Sequence, residues 1–378
     1  MRTVIRVCLL TGLLLSLQLV VPAQPLKTRY NNSTVYAGIE VGSKGVKMSV
    51  VEMGRNSQSS GAFQVLKDTS VNTDFISFTS ASSEATLNGL SALYTKALDD
   101  YKIPSDKIYT VISSGVKMQA EKDNRNDAIN GLIQSFRTLI KEPERQVEVV
   151  DVIAEARLSH LGIVPAPRRY TTFLIDIGSG NTKGGYFPNG NTRDFKLFQL
   201  NWGTKSVANE TEKRCDEFDK TLNNYNKQLG RVLSGVENAE LIYAVNASGA
   251  YPLSDNIAFS GGIAWAVATL THPEQAGKSS VSVTYEEVKR LSDQLLNNYS
   301  SLSDSALARA NAQADQDILR SEVQRVHKVF DQRALMAGTG LLLKIMRQFT
   351  SIYESKGFQL VKNGQVGWIS AYVDQAIQ

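Results

Sequence analysis

The sequence predicts an α/β chain of two lobes with a cleft between them, each lobe opened by the same strand–turn–strand unit. Three observations carry this. Short apolar strand candidates alternate with amphipathic helices along most of the chain. A strand that ends in a carboxylate and runs into Gly-Ser occurs twice, at Ile39–Glu52 (IEVGSKGVKMSVVE) and Leu174–Phe187 (LIDIGSGNTKGGYF). Weak internal duplication of this kind points to a duplicated architecture. Between the copies, Val164-Pro165-Ala166-Pro167 breaks the pattern and marks the approximate lobe boundary.

In the first lobe, expected over 35–165, Val35–Val41 and Val46–Glu52 read as a hairpin turning at Gly42–Gly45. Glu84–Tyr101 sets Leu87, Leu90, Tyr94, Leu98 and Tyr101 at helical spacing. Ile108–Ile112 reads as a buried strand. Asp127–Lys141 reads as a helix with Ile129, Leu132, Ile133, Phe136 and Ile140 on one face. Val147–Val150 is a short strand, and Ile153–Leu161 a helix closed by Gly162. The second lobe, expected over 166–378, opens with strand Thr172–Ile177, turn Gly178–Asn181 and returning strand Lys183–Phe187. Helical insertions and C-terminal helices fill the rest. They are a charged region at Asn209–Asn238, a helix capped by Thr284 with Glu287 three residues on, and Ser303–Phe330 and Arg333–Tyr353.

The first 23 residues differ from the rest. Arg2 and Arg6 precede an almost wholly apolar run, Val7–Val21, followed by Pro22 and Ala23. This is the pattern of a cleavable secretory signal, so export to a periplasm or the medium is expected. An uncleaved anchor is the alternative, although the run is short for a membrane span. A polar lead, 24–34, follows. No stable membrane insertion is expected after cleavage. Removal of the signal leaves Cys215 as the one cysteine, which excludes an internal disulfide. Three scattered histidines, His160, His272 and His327, give no metal-ligand spacing, and zinc or Cys/His nucleophile chemistry is set aside. The net charge of +4 comes with no polybasic tract, so nucleic acid is not an expected partner. A homodimer is left open.

The two turns have the chemistry of phosphate cradles. Glycines let the backbone approach an anion closely, and successive N–H groups in such turns form an anion-binding concavity. Gly42, Ser43, Lys44 and Gly45 form the first candidate. Gly178, Ser179, Gly180, Asn181 and Thr182 form the second. Asp176 and Glu40 are candidates to hold hydrated Mg²⁺, which takes one or two carboxylates and keeps several waters. Either turn alone is more simply a tight hairpin. Two at matched positions favour the cradle.

The pair resembles the phosphate-1 and phosphate-2 loops of the actin/Hsp70/sugar-kinase superfamily, whose lobes are ribonuclease H-like. Ile257–Leu270 (IAFSGGIAWAVATL) is similar to the third signature of that superfamily, a Gly-Gly turn opening a helix. A helix N-terminus there gives Gly261 and Gly262 an anion-binding role. Asp151–Gly162 (DVIAEARLSHLG) resembles the Glu-Ala-Arg-Leu stretch of the exopolyphosphatase/guanosine-pentaphosphatase (Ppx/GppA) family. Phe330–Leu343 and Phe358–Tyr372 resemble later segments of the same family, so the likeness runs from about Val35 to the C-terminus.

The resemblance implies an Mg²⁺-dependent hydrolase that releases terminal phosphate from polyphosphate or a nucleoside polyphosphate. Glu155 matches the family's catalytic glutamate, and Asp176 would hold the metal or its water. The sequence departs from the family at four places, and the altered loops at Glu40, Lys44 and Lys183 favour the alternative, a phosphate-binding or scaffold protein that has lost its chemistry, whereas retained Glu155 and Asp176 favour activity. Glu40 stands where the family has Asp, Lys44 where it has Asn, and Lys183 where it has Glu. An arginine-bearing stretch is replaced by Ser113–Met118, with Lys117 the nearest basic residue. His160, Trp202 and Tyr186 read as packed or rim residues.

Overall fold

A computed structural model describes residues 26–28, 30–54, 63–249, 255–350, 356–362, 364, 367 and 371–373. The proposed signal segment, 1–23, lies outside them. Among the described residues no helix is long and apolar enough to cross a membrane.

The first lobe is a five-stranded sheet in the order β3-β2-β1-β4-β5. Its strands are β1 (Thr34–Gly42), β2 (Gly45–Met53), β3 (Phe63–Asn72), β4 (Ile108–Ile112) and β5 (Val147–Val149). The first three run antiparallel, whereas β4 pairs parallel with β1 and β5 parallel with β4. The centre of β1 is buried from Tyr36 to Val41, as its near-continuous apolar run requires when both faces are covered. Helices α1 (Ser80–Asp99) and α3 (Asn126–Ile140) cover one face. Their Leu90, Leu93, Tyr94, Leu132 and Phe136 join Ile39, Val41, Met48 and Val50 in one core. The short helix α2 (Ser114–Lys122) follows β4, and α4 (Val152–Ile163) follows β5.

The second lobe repeats the plan and adds to it. Its six strands run β10-β11-β9-β6-β7-β8. β6 (Thr172–Ile177), β7 (Thr182–Tyr186) and β8 (Lys196–Leu200) form the antiparallel part. β9 (Asn256–Ser260) and β11 (Gly357–Val361) add in parallel, and β10 (Ser280–Val283) closes the edge antiparallel to β11. The apolar helix α8 (Gly262–Thr271) and the long α12 (Gln332–Phe349) bury Ile263, Val267, Leu341 and Ile345 against Phe173, Ile175 and Phe259.

Most expected elements are present, and three edge strands were not foreseen. β3, β8 and β10 are short or polar (SVSV in β10), so alternation alone does not raise them above loop. The charged region at Asn209–Asn238 is not one helix. It divides into α5 (Thr204–Arg214) and α6 (Leu222–Val236), and a π-helical turn at Glu237–Leu241 leads on into α7 (Ile242–Ser248). Ser303–Phe330 likewise splits into α10 (Asp304–Ala310) and α11 (Gln316–Val329). The Thr284 cap forms as expected on α9 (Tyr285–Asn297), with reciprocal bonds between Thr284 and Glu287. Gly162 does not end α4, which runs on to Ile163. A Cβ at Gly162 would stand 1.9 Å from the Gly367 carbonyl oxygen, so its smallness serves packing. The chain end returns to the first lobe, where Ala371 and Val373 pack with Tyr36, Val51 and Val111.

Candidate functional site

Strands β1 and β2 pair down to Gly42 opposite Gly45, which leaves Ser43-Lys44 as a two-residue tip. Gly45 is glycine because β3 passes over it: a Cβ there would lie 2.1 Å from the Val71 carbonyl oxygen. The tip is fixed by its Lys44 carbonyl, which accepts from the amides of Thr73 (2.9 Å) and Asp74 (3.2 Å). The amides of Ser43 and Lys44 have no partner among the described residues. The tip abuts the start of α2, where a Cβ on Gly115 would stand 3.2 Å from Ser43 Oγ. Lys44 is exposed, yet desolvation by the protein around it, then the ammonium groups of Lys205 and Lys47, push its pKa down. Lys205 belongs to the second lobe, so positive charge gathers here from both sides.

The second turn is held more tightly. Gly178 N–H donates to the Asn181 carbonyl at 3.0 Å, closing the loop on itself. Its other carbonyls are taken by the N-terminus of α5. Gly178 O accepts from Thr204 N (3.0 Å), Ser179 O from Lys205 N (2.8 Å), and Gly180 O from Ser206 Oγ (3.0 Å). Gly203 permits this contact, since a Cβ there would fall 2.5 Å from Gly178 O. With the carbonyls turned to α5, the amides of Ser179, Gly180 and Asn181 have no partner among the described residues. A Cβ on Gly180 would meet nothing within 4 Å.

Thr182 is not part of this concavity. Its side chain is fully buried and its hydroxyl donates to the Trp202 carbonyl at 2.7 Å, which spends it on the scaffold. Gly261 and Gly262 also have steric work. Gly261 has φ of +94°, and a Cβ on it would lie 2.3 Å from Ile177 O and 3.1 Å from Asp176 Oδ1. Any other residue would collide with the strand end that carries Asp176. Ser260, just before it, donates its hydroxyl to Asp176 Oδ1 at 2.8 Å.

Glu155 enters the cleft from the first turn of α4. Asp151 caps that helix by accepting from Ala154 N at 2.7 Å. His160, one turn further on, is buried and donates from Nε2 to Thr172 O at 2.9 Å, tying α4 to β6. Burial holds its pKa down at about 4, so it is neutral. Glu155 is itself 3% exposed. Its Oε2 accepts from Ser114 N at 2.8 Å, so the carboxylate caps α2 at the end where the helix dipole favours an anion.

The other oxygen of Glu155 meets Lys183. Nζ of Lys183 lies 2.8 Å from Glu155 Oε1 and 3.6 Å from Asp176 Oδ2, with the lysine side chain 9% exposed. Burial would lower the Lys183 pKa, but Glu155 and Asp176 outweigh it and raise it. Burial would likewise raise Glu155. Lys183 and the Ser114 amide reverse that and hold it below the ordinary carboxylate range. Glu40 differs. It is buried beside Gly42, and burial, against a smaller opposing effect of Lys47, raises its pKa.

The fold thus brings Glu155, Asp176, Glu40 and both glycine turns to one cleft. The Mg²⁺ expectation for Asp176 and Glu40 does not fit the donor set. Asp176 Oδ1 already accepts from the Ser260 hydroxyl at 2.8 Å, and its Oδ2 lies 3.6 Å from the Lys183 ammonium, so both carboxylate oxygens are engaged by donors of the protein itself. Between Asp176 and Glu155 lies an ammonium, not a gap lined by oxygen. Sequence reasoning missed Ser114, Ser260 and Lys205, whose roles depend on contacts across the chain. It marked Lys183 as a departure without its partners. One signal was readable, since Lys183 falls directly opposite Asp176 in the hairpin register.

No protein-family model matches the chain, and no curated protein matches it either. Solved structures do. A Ppx/GppA family member of Aquifex aeolicus superposes with TM-score 0.59 at 15% identity, covering 91% of this chain and 98% of its own. A type II variant of the Aquifex aeolicus Ppx/GppA phosphatase gives 0.58 at 17% identity over 91% and 100%. An exopolyphosphatase from Cytophaga hutchinsonii gives 0.53 at 14% identity over 90% and 98%. At these identities the likeness is one of fold, and it spans nearly the whole of each chain. The protein has the two-lobed, actin-like fold of the Ppx/GppA structures.

Proposed function

We propose that the protein is an exported, exopolyphosphatase-like phosphohydrolase that takes the end of a polyphosphate or nucleoside polyphosphate into this cleft and releases the terminal phosphate. The observation that carries the reading is the position of Glu155, buried between two glycine turns whose tip amides have no partner among the described residues. Those amides, with Lys44 and Lys205, supply donors and positive charge for phosphoryl oxygens. Phosphoryl transfer asks little covalent chemistry of a protein and much positioning. Glu155, held ionised by Lys183 and the Ser114 amide, would orient the attacking water and accept its proton as the phosphoryl group departs. Asp176, fixed by Ser260, would hold Lys183 in register. Mg²⁺ belongs to this reading as the counter-ion carried in by the phosphate chain.

A second reading, binding without turnover, is favoured by one observation. The Lys183–Glu155 ion pair makes Glu155 a weaker base than a free buried carboxylate. Phosphate release from long-chain polyphosphate with Mg²⁺, beside Glu155→Gln, separates the two. Release that the substitution abolishes supports the hydrolase. Binding without release from polyphosphate or nucleoside triphosphates moves the assignment to a phosphate-binding protein.

A further inference from the structure

We propose that Lys183 is a built-in counter-cation standing in for a resident divalent metal, so that the cleft takes up the end of a phosphate chain without requiring one. This rests on the reading that the cleft binds phosphate chains. Three carboxylates, Glu40, Glu155 and Asp176, lie close enough here to influence one another. Left alone they would repel an incoming phosphate. The Lys183 ammonium stands 2.8 Å from one and 3.6 Å from another, where a cation shared by both would sit.

The placement follows from the hairpin. Directly opposite residues of an antiparallel pair project from the same face, so pairing Lys183 with Asp176 aims both into the cleft. Helix α4 packs across β7 and brings Glu155 to the same point. The lysine is therefore held by a strand at its base and by carboxylates at its tip. Mg²⁺ needs oxygen ligands at about 2.0–2.1 Å in near-octahedral geometry, so it would have to take the volume of the ammonium itself. A tethered ammonium fills the electrostatic role without a free metal, while the turn amides and Lys44 remain for the anion.

Calorimetric titration of the protein with inorganic tripolyphosphate, in EDTA and in Mg²⁺, tests this directly. Affinities within about threefold of each other are expected. Binding lost in EDTA and restored by Mg²⁺ would overturn the role of Lys183 while leaving phosphate-chain binding in place. Absence of binding in both buffers would remove the proposal together with the function on which it rests. Mn²⁺ binding followed by electron paramagnetic resonance is the second arm, on Lys183→Met and Lys183→Gln. Each should bind Mn²⁺ at least about tenfold more tightly than the parent, because the freed carboxylates then need a cation. Equal Mn²⁺ binding in a folded variant and the parent counts against the proposal. Should both variants fail to fold, the EDTA comparison still decides.

Discussion

The two hairpins that open the lobes are the same unit put to different uses. Aligned from their strand ends without a gap, Glu40 matches Asp176, Gly42 matches Gly178, Ser43 matches Ser179 and Lys47 matches Lys183. In both, the carboxylate that ends the first strand stands directly opposite a lysine on the second. Yet Lys47 is exposed and Lys183 buried. The cause lies outside the hairpins. Helix α4 lies on β7 and delivers Glu155 to Lys183, whereas Lys47 stays open to water at the cleft rim. A local motif fixed the direction of the side chains, and tertiary packing decided which became an ion-pair centre.

The sharpest way to break this comparison is to remove each lysine in turn. Lys183→Met would leave Glu155 and Asp176 in the cleft without their cation, and loss of one partner of a buried pair costs about 3–5 kcal/mol. Lys47→Met should cost no more than about 1 kcal/mol, since Lys47 is exposed and its effect on Glu40 is screened by water. Denaturant unfolding of both variants in EDTA measures the difference. Comparable losses would mean that the two lysines are energetically equivalent and that the Glu155 contact adds nothing. Addition of Mg²⁺ should restore part of the Lys183→Met loss and leave Lys47→Met where it was.

The next effect is on turnover. Glu155→Gln keeps the shape and the Ser114 contact but removes the charge, and phosphate release should fall about 100-fold or more while tripolyphosphate binding persists. Unchanged release would take Glu155 out of the chemistry and leave it as the cap of α2 and partner of Lys183. The tips of the hairpins differ less. Gly45→Ala places a methyl against the Val71 carbonyl and should cost about 1–3 kcal/mol. Gly180→Ala meets open space and should fall within about 0.5 kcal/mol. Thermal melts of the pair would show whether the second tip is as free of steric demand as its surroundings suggest.

Much of this was legible in the sequence because the duplicated unit is short-range. The acid–Val/Ile–Gly–Ser string defines strand, turn and side-chain direction within a few residues, so both hairpins and the cleft they face could be read. Strands β3, β8 and β10 could not, since a short or mixed edge strand is made by its neighbours rather than by its own pattern. The site divides the same way. Asp176 and the turn glycines announce themselves locally. The pairing of Lys183 with Glu155 joins a strand of one lobe to a helix that precedes it, and no spacing rule encodes that distance. Thr182 shows the converse, a residue with suitable local chemistry whose hydroxyl is taken by the Trp202 carbonyl.

The smallest effect expected is one of sign. Glu40 and Glu155 are both buried carboxylates of the cleft, but only Glu155 has Lys183 in contact. The raised pKa of Glu40 means that its stability contribution is present below the unfolded carboxylate value and lost as pH rises through the folded one. Its ionised form is thus a burden at neutral pH, and Glu40→Gln should become more stable than the parent as pH rises from about 4 to about 7. Glu155 is held below the ordinary range, so its contribution is present above the unfolded value and lost as pH falls through the folded one. Glu155→Gln should therefore be less stable than the parent at neutral pH, with the gap closing toward acid. Denaturation midpoints of both variants and the parent at the two pH values give the slopes. Opposite slopes would tie the difference to where Lys183 spends its charge. Slopes of the same sign would mean that Lys183 serves both carboxylates alike.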